Sequence, residues 1–96
     1  MIYNNVILEV TKEADIDTVR RLLRRQGELS RQESGCSRFE VYQSQTERSL
    51  FMLIEQWETP AHLERHRQAT AFNEIYEPQV LPLVERVPHP SDLVFP

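Results

Sequence analysis

The chain has 96 residues, 40% of them hydrophobic, and its 15 acidic and 11 basic side chains leave a formal charge of −4. That length suits one compact domain, small enough that association with a second copy would help to bury its surface. The mild acidity argues against nucleic acid or a polybasic membrane contact as the main partner and favours a small uncharged ligand. Arg20, Arg21, Arg24 and Arg25 cluster on one segment, but Asp17 and Glu28 intersperse them and no aromatics interleave to stack on bases, so they read as a solvated helix face. Cys36 is the only cysteine, which rules out an intrachain disulfide or a thiolate metal cage and suggests a reducing compartment. The start, Met1 to Asn5, carries no basic stretch leading into a long apolar run, so a cytoplasmic protein is expected.

Val6, Leu8 and Val10 alternate with Asn5, Ile7 and Glu9, a period of two that predicts a first strand within Ile2–Val10. Asp15 or Asp17 can cap the following helix, on which Ile16, Val19, Leu22, Leu23 and Gln26 recur at helical spacing. Gly35, able to take a left-handed conformation, should end that helix, and Gly27 inside it costs roughly 1 kcal/mol relative to alanine. Phe39 and Val41 alternate with polar neighbours in a second strand, and the polar run Ser44 to Ser49 turns the chain into a third.

The third strand is apolar without alternation from Leu50 to Ile54, as expected where both faces are covered. One helical layer covers one face only, so a sheet-to-sheet homodimer is predicted to cover the other. Thr59 and Pro60 mark the next helix, a hydroxyl at the N-cap and a proline at the first helical position. Leu63, His66 and Thr70 share a face of it while Phe72 falls opposite, which places a break near Thr70. A second short helix from Ala71 through Tyr76 should end or kink near Pro78. Leu83 to Val87 is the best fourth strand, and residues 88–96 form a proline-punctuated tail whose Leu93, Val94 and Phe95 could pack on a partner subunit. The whole is one domain over residues 1–96, α+β in class, with the βαββαβ order of a ferredoxin-like split sheet.

Phe51, Leu53, Glu55 and Trp57 should point to one face of the third strand, where a carboxylate breaks the apolar pattern. Taken alone, Glu55 reads as solvated or arginine-paired, and Trp57 as core with its indole N–H satisfied nearby. His62 and His66 have the spacing of a metal-binding helix, but no third His or Cys accompanies them, so no metal is expected and His62 reads as surface. His66 shares the inward face with Leu63. It is either a hydrogen-bonded core residue or a pocket acid or base, its ordinary pKa near 6.5 suiting proton transfer.

The Glu-x-Trp strand end at Glu55 and Trp57, the turn after it, the helix positions Ala61, His62, Leu63 and His66, and the Gly35–Cys36 step together resemble the antibiotic biosynthesis monooxygenase family. The resemblance covers nearly the whole chain, most specifically Ile54 to His66, which is similar to the quinol-oxidising members. It implies a dimeric α+β barrel in which a small quinol or other hydroxylated aromatic loses a phenolic proton and reacts directly with O2, without metal, flavin or haem. On this resemblance His66 would transfer the proton, Glu55 would orient or polarise, and Asn5 would donate to a developing oxyanion. Trp57, Leu53, Leu63, Phe72 and Tyr76 would form the substrate pocket.

Haem-degrading relatives carry a helix Trp where His66 stands and a His near Tyr76, which disfavours that chemistry. Relatives acting on aromatic polyketides carry Asn and Tyr where this chain has Leu53 and Leu63. Arg38 to Val41 and the ending at Pro96 are similar instead to a branch that isomerises a phosphorylated autoinducer-2 dione. That branch tends to carry Tyr in place of Trp57, and Arg86 is the tail's lone candidate phosphate ligand. A dimer that binds a small molecule without catalysis is the third reading.

Overall fold

The computed structural model describes residues 1–96. Four strands, β1 (Ile2–Val10), β2 (Cys36–Gln43), β3 (Leu50–Trp57) and β4 (Val84–Ser91), form one antiparallel sheet in the order β2-β3-β1-β4. Three helices, α1 (Ile16–Arg31), α2 (Pro60–Arg67) and α3 (Ala71–Val80), accompany it, giving the expected ferredoxin-like α+β fold. The pairings Val6↔Leu53 and Val6↔Pro88 fix the register of β1 against its two neighbours.

Alternation decides which residues build the core. On β1 every second residue from Asn4 to Val10 is buried, and on β3 the same holds for Phe51, Leu53, Glu55 and Trp57. Val6, Leu8, Val10, Phe51 and Leu53 meet Val19 and Leu23 of α1 and Tyr76 and Val80 of α3 in a single cluster. Each fully buried aliphatic side chain there contributes roughly 1.5–3 kcal/mol. The opposite sheet face, with Ile7, Met52 and Ile54, is only half-buried within one chain, and Tyr42 and Val87 on it are exposed.

Several boundaries differ from the sequence-based expectation. Asp15 occupies the N-cap of α1 but makes no side-chain cap; a tight turn over Glu13–Asp15 winds straight into the helix. The helix ends at Arg31, short of Gly35, because Gln32 and Glu33 turn their amides back onto Leu29 and Ser30 carbonyls. Gly35, at φ 81°, then reverses the chain, and a Cβ there would strike the His62 ring. The Thr59–Pro60 start holds as expected, with Thr59 Oγ1 accepting the His62 amide at 3.2 Å.

The break expected near Thr70 is present, since α2 stops at Arg67 and α3 starts at Ala71. However, α3 runs past Pro78 to Val80 instead of ending there, wound in wide turns in which the Leu81 amide bonds Tyr76 O. The wider winding relieves the clash between the proline ring and the carbonyl a turn earlier that would kink an α-helix.

Residues 88–91 likewise belong to β4 and not to a free tail, leaving 92–96 outside regular structure. Lacking an N–H, Pro88 and Pro90 occupy alternate places on an edge strand, where every second amide points away from the neighbouring strand. The other edge, β2, carries a register irregularity between Cys36 and Arg38. The arginines of α1 lie on its exposed side, Arg24 and Arg25 pairing loosely with Glu28 at 3.5 Å, as a solvated helix face should. No helix is long and apolar enough to cross a membrane.

Candidate functional site

At the end of β3 the apolar row gives way to Glu55 and Trp57, both turned under the helices. The Trp57 indole N–H donates to Glu55 Oε1 at 3.0 Å. Burial raises the Glu55 pKa, while that hydrogen bond, Arg86, Arg67 and Asn4 pull the other way. Neither alternative read from the sequence for Glu55 holds: the carboxylate is neither solvated nor in a direct ion pair.

His66 comes down from α2 onto this pair. Its ring centroid is 4.4 Å from that of Trp57, with Phe72 edge-on at 5.8 Å and Phe39 at 6.0 Å. The ring is 3% exposed, and its Nδ1 shares a 2.7 Å hydrogen bond with Glu33 Oε1 from the α1–β2 turn. His66 is therefore hydrogen-bonded in the core and also borders a cavity. Burial, with a smaller push from Arg67, lowers its pKa to about 4, so the imidazole is neutral near pH 7. Burial and the nearby Glu55 raise the Glu33 carboxyl to about 7.

Beside the ring is a small cavity of about 10 Å3, the space of a single water molecule. Asn4, Gln26, Glu55 and His66 supply its polar lining, Leu63, Phe72 and Tyr76 its apolar lining, and Arg67 and Arg86 its cationic side. Arg86 Nε donates to the Tyr76 hydroxyl at 3.0 Å, and burial raises the pKa of that phenol against the pull of Arg86. Gln26 is 1% exposed, and its Oε1 has no hydrogen-bond partner.

Glu55, His66, Leu63, Phe72 and Tyr76 are thus brought together at one cavity. Leu53 and Trp57 are fully buried and stand behind the cavity, in contact with the core and the His66 ring, and do not line it. Asn5 lies on the opposite sheet face, where its Nδ2 donates to Ser91 Oγ at 3.0 Å. Its neighbour Asn4 takes the cavity position, because β1 buries even-numbered residues. That parity was readable from Val6, Leu8 and Val10. Gln26, Glu33, Arg67 and Arg86 also reach the site; Gln26 stood on the periodic face of α1 and Arg86 was the tail's candidate anion ligand, but no pattern pointed to Glu33 or Arg67.

His62 has a local task. Its Nδ1 lies 2.7 Å from Thr59 Oγ1 and its ring covers Gly35. With Glu33, Ser34, Arg65, His66 and Ala69 it borders an outer cleft of about 190 Å3. No group of three or more His, Cys, Asp or Glu side chains is arranged to hold a metal ion.

An α+β sheet with a histidine, carboxylates and a tryptophan gathered between β3 and α2 defines the class of protein. The sequence profile of antibiotic biosynthesis monooxygenase matches residues 1–78, and the chain belongs to that family. Among curated protein sequences no match is found. Among solved structures, a conserved Bacteroides thetaiotaomicron protein described as a possible oxidoreductase superposes with a TM-score of 0.87 at 24% identity, covering 96% of each chain. A Pseudomonas aeruginosa protein gives 0.86 at 23% identity, over 98% of this chain and 95% of its own. A structure described as an antibiotic biosynthesis monooxygenase gives 0.85 at 24% identity, over 96% of this chain and 98% of its own. At these identities the likeness is one of fold.

Proposed function

We propose that the chain is a cofactor-independent monooxygenase of a small quinol or other hydroxylated aromatic. The observation that carries this reading is the neutral His66 ring, held by Glu33 and stacked on Trp57, at the edge of a cavity that also contains Glu55 and the unpaired Gln26 oxygen. A neutral imidazole can take a phenolic proton, and Arg67 and Arg86 would stabilise the resulting anion. The electron-rich ring then reacts with O2. For a quinol with a free ring C–H, one O2 gives the hydroxylated quinone and one water, four electrons leaving the substrate and four entering O2. Asn4 takes the hydrogen-bonding place that the sequence had suggested for Asn5. Phe72 and Leu63 would swing aside at the Gln68–Thr70 break to admit the ring.

A homodimer belongs to the same proposal. The open sheet face offers Ile7, Met52, Ile54, Tyr42 and Val87 to a second copy, and the half-buried single thiol Cys36 suits a reducing cytoplasm.

Oxygen uptake by metal-free protein over a panel of reduced benzo- and naphthoquinones tests the activity. Uptake should depend on the protein and fall by about 10²-fold in His66→Ala. A panel without enzyme-dependent uptake would remove this reading. The guanidinium groups of Arg67 and Arg86 at one cavity favour, as a second reading, isomerisation of a phosphorylated dione, which would turn over without consuming oxygen.

A further inference from the structure

Glu33 lies outside every helix and strand, yet its carboxylate makes the hydrogen bond of the buried His66 ring. The turn that carries it is fixed from both sides. The Glu58 amide donates to Gly35 O at 2.8 Å, and the His62 ring occupies the space that a Cβ on Gly35 would need. Glu33 therefore meets α2 at a set distance. His66 is common to the linings of two spaces, the small cavity with Asn4, Gln26 and Glu55 and the outer cleft with Glu33 and Ser34.

We propose that Glu33 is the positioning residue of His66, holding the ring in the tautomer with hydrogen on Nδ1 and carrying the proton taken from the cavity side out to the cleft. The tautomer follows from the 2.7 Å contact wherever Glu33 is ionised, whereas the source of the proton, a substrate hydroxyl, rests on the oxygenase reading. In the step itself Nε2 takes the hydroxyl proton as the Nδ1 proton passes to the Glu33 carboxylate. The substrate is left as the anion, the ring stays neutral with hydrogen on Nε2, and Glu33 becomes a carboxylic acid that gives its proton to water in the cleft. No charge then rests on the ring, whose burial opposes the imidazolium.

The charges around the pair favour the same division of labour. Glu55 on β3 raises Glu33, Arg67 on α2 lowers His66, and Arg31 and Cys36 flank the turn. His62 and Arg65 border the cleft, and Tyr76 and Arg86 face the ring across the cavity. Of the two partners Glu33, near 7, is the one able to take up and release a proton around neutrality.

The test is nitrogen NMR of histidine-labelled protein, with the His66 signals assigned by their loss in His66→Ala. In mildly alkaline buffer the native ring should carry hydrogen on Nδ1, and in mildly acidic buffer it should change to Nε2 as Glu33 protonates and donates in turn. Glu33→Gln has no titrating group and should hold one tautomer at both pH values; Glu33→Met should lose the preference. A native ring with hydrogen on Nε2 in alkaline buffer, or a Glu33→Gln ring that still changes tautomer with pH, would overturn the assignment. With a substrate from the panel, Glu33→Gln should lower oxygen uptake about tenfold and flatten its pH dependence near neutrality. An unchanged pH profile would overturn the carrier role. If no panel compound is oxidised, the activity reading falls, and the tautomer result still decides whether Glu33 positions His66.

Discussion

Trp57 and Glu55, two residues apart on β3, are joined by a 3.0 Å hydrogen bond from the indole N–H to Oε1, and both are buried beneath α2. The bond satisfies the one polar atom of the tryptophan and gives the carboxylate a partner that carries no formal charge. Glu55→Gln keeps an acceptor for the indole N–H, so its stability should stay within about 1 kcal/mol of native. Glu55→Leu orphans the indole N–H and should cost roughly 1–3 kcal/mol. Urea titrations of the two variants check the difference.

Gln26 presents an unpaired oxygen at the cavity from a fully buried helix position. Replacing such a group by an apolar one of similar size removes a desolvation cost, so Gln26→Leu should raise stability by about 1 kcal/mol. Under the proposed function the same change should raise KM for a hydroxylated substrate, because the oxygen is then missing from the ligand's partner set. Thermal unfolding and steady-state kinetics on one preparation read both effects.

The two glycines should respond in opposite directions. At Gly27 an added Cβ meets Val41 and Phe39 at 3.7–3.8 Å, ordinary contact, so Gly27→Ala should gain up to about 1 kcal/mol of helix propensity and raise Tm by roughly 4–8 °C. Gly35→Ala places a side chain at positive φ and into the His62 ring, and should cost about 2 kcal/mol or more. Calorimetry of both variants settles the contrast.

The pH dependence of stability contains two opposed contributions. His66 is lowered from 6.5 to about 4 on folding, so the unfolded chain binds more protons between those values and this contribution is lost as pH falls through the window. Glu33 is raised from 4.5 to about 7, so the folded chain binds more protons there and stability is lost as pH rises. These two should largely offset each other between about pH 4.5 and 6.5, and the raised Glu55 carboxyl, whose sign is that of Glu33, tilts the native profile toward loss of stability as pH rises. Glu33→Gln should expose the His66 slope, with Tm falling on acidification, and His66→Phe the Glu33 slope, with Tm falling as pH rises. Differential scanning calorimetry across the window reads the signs.

Much of this fold was legible because period-two and helical patterns report directly on burial. Val6, Leu8 and Val10 located β1, the Thr59–Pro60 pair located α2, and the parity of Phe51 and Leu53 turned Glu55 and Trp57 inward. The break before Ala71 followed from Leu63 and Phe72 falling on opposite helix faces. The same parity, carried two residues back from Val6, would have chosen Asn4 over Asn5. Other parts depend on packing that no local pattern encodes. The wide winding of α3 carries it past Pro78, and an edge position lets β4 retain Pro88 and Pro90. Gln26 already stood on the periodic face of α1, but Glu33 reads as an ordinary polar position beyond that helix until the turn at Gly35 and the descent of α2 bring it to His66.

Pro88 and Pro90 on one edge of the sheet, and the irregular stretch between Cys36 and Arg38 on the other, have a consequence for the chain in bulk. An exposed strand edge is a template on which further strands can assemble. Here one edge lacks amides at alternate places and the other is bent out of register where charged Arg38 and Glu40 begin. Neither margin invites endless addition, so crowded copies of this protein have little means of zipping into fibrils.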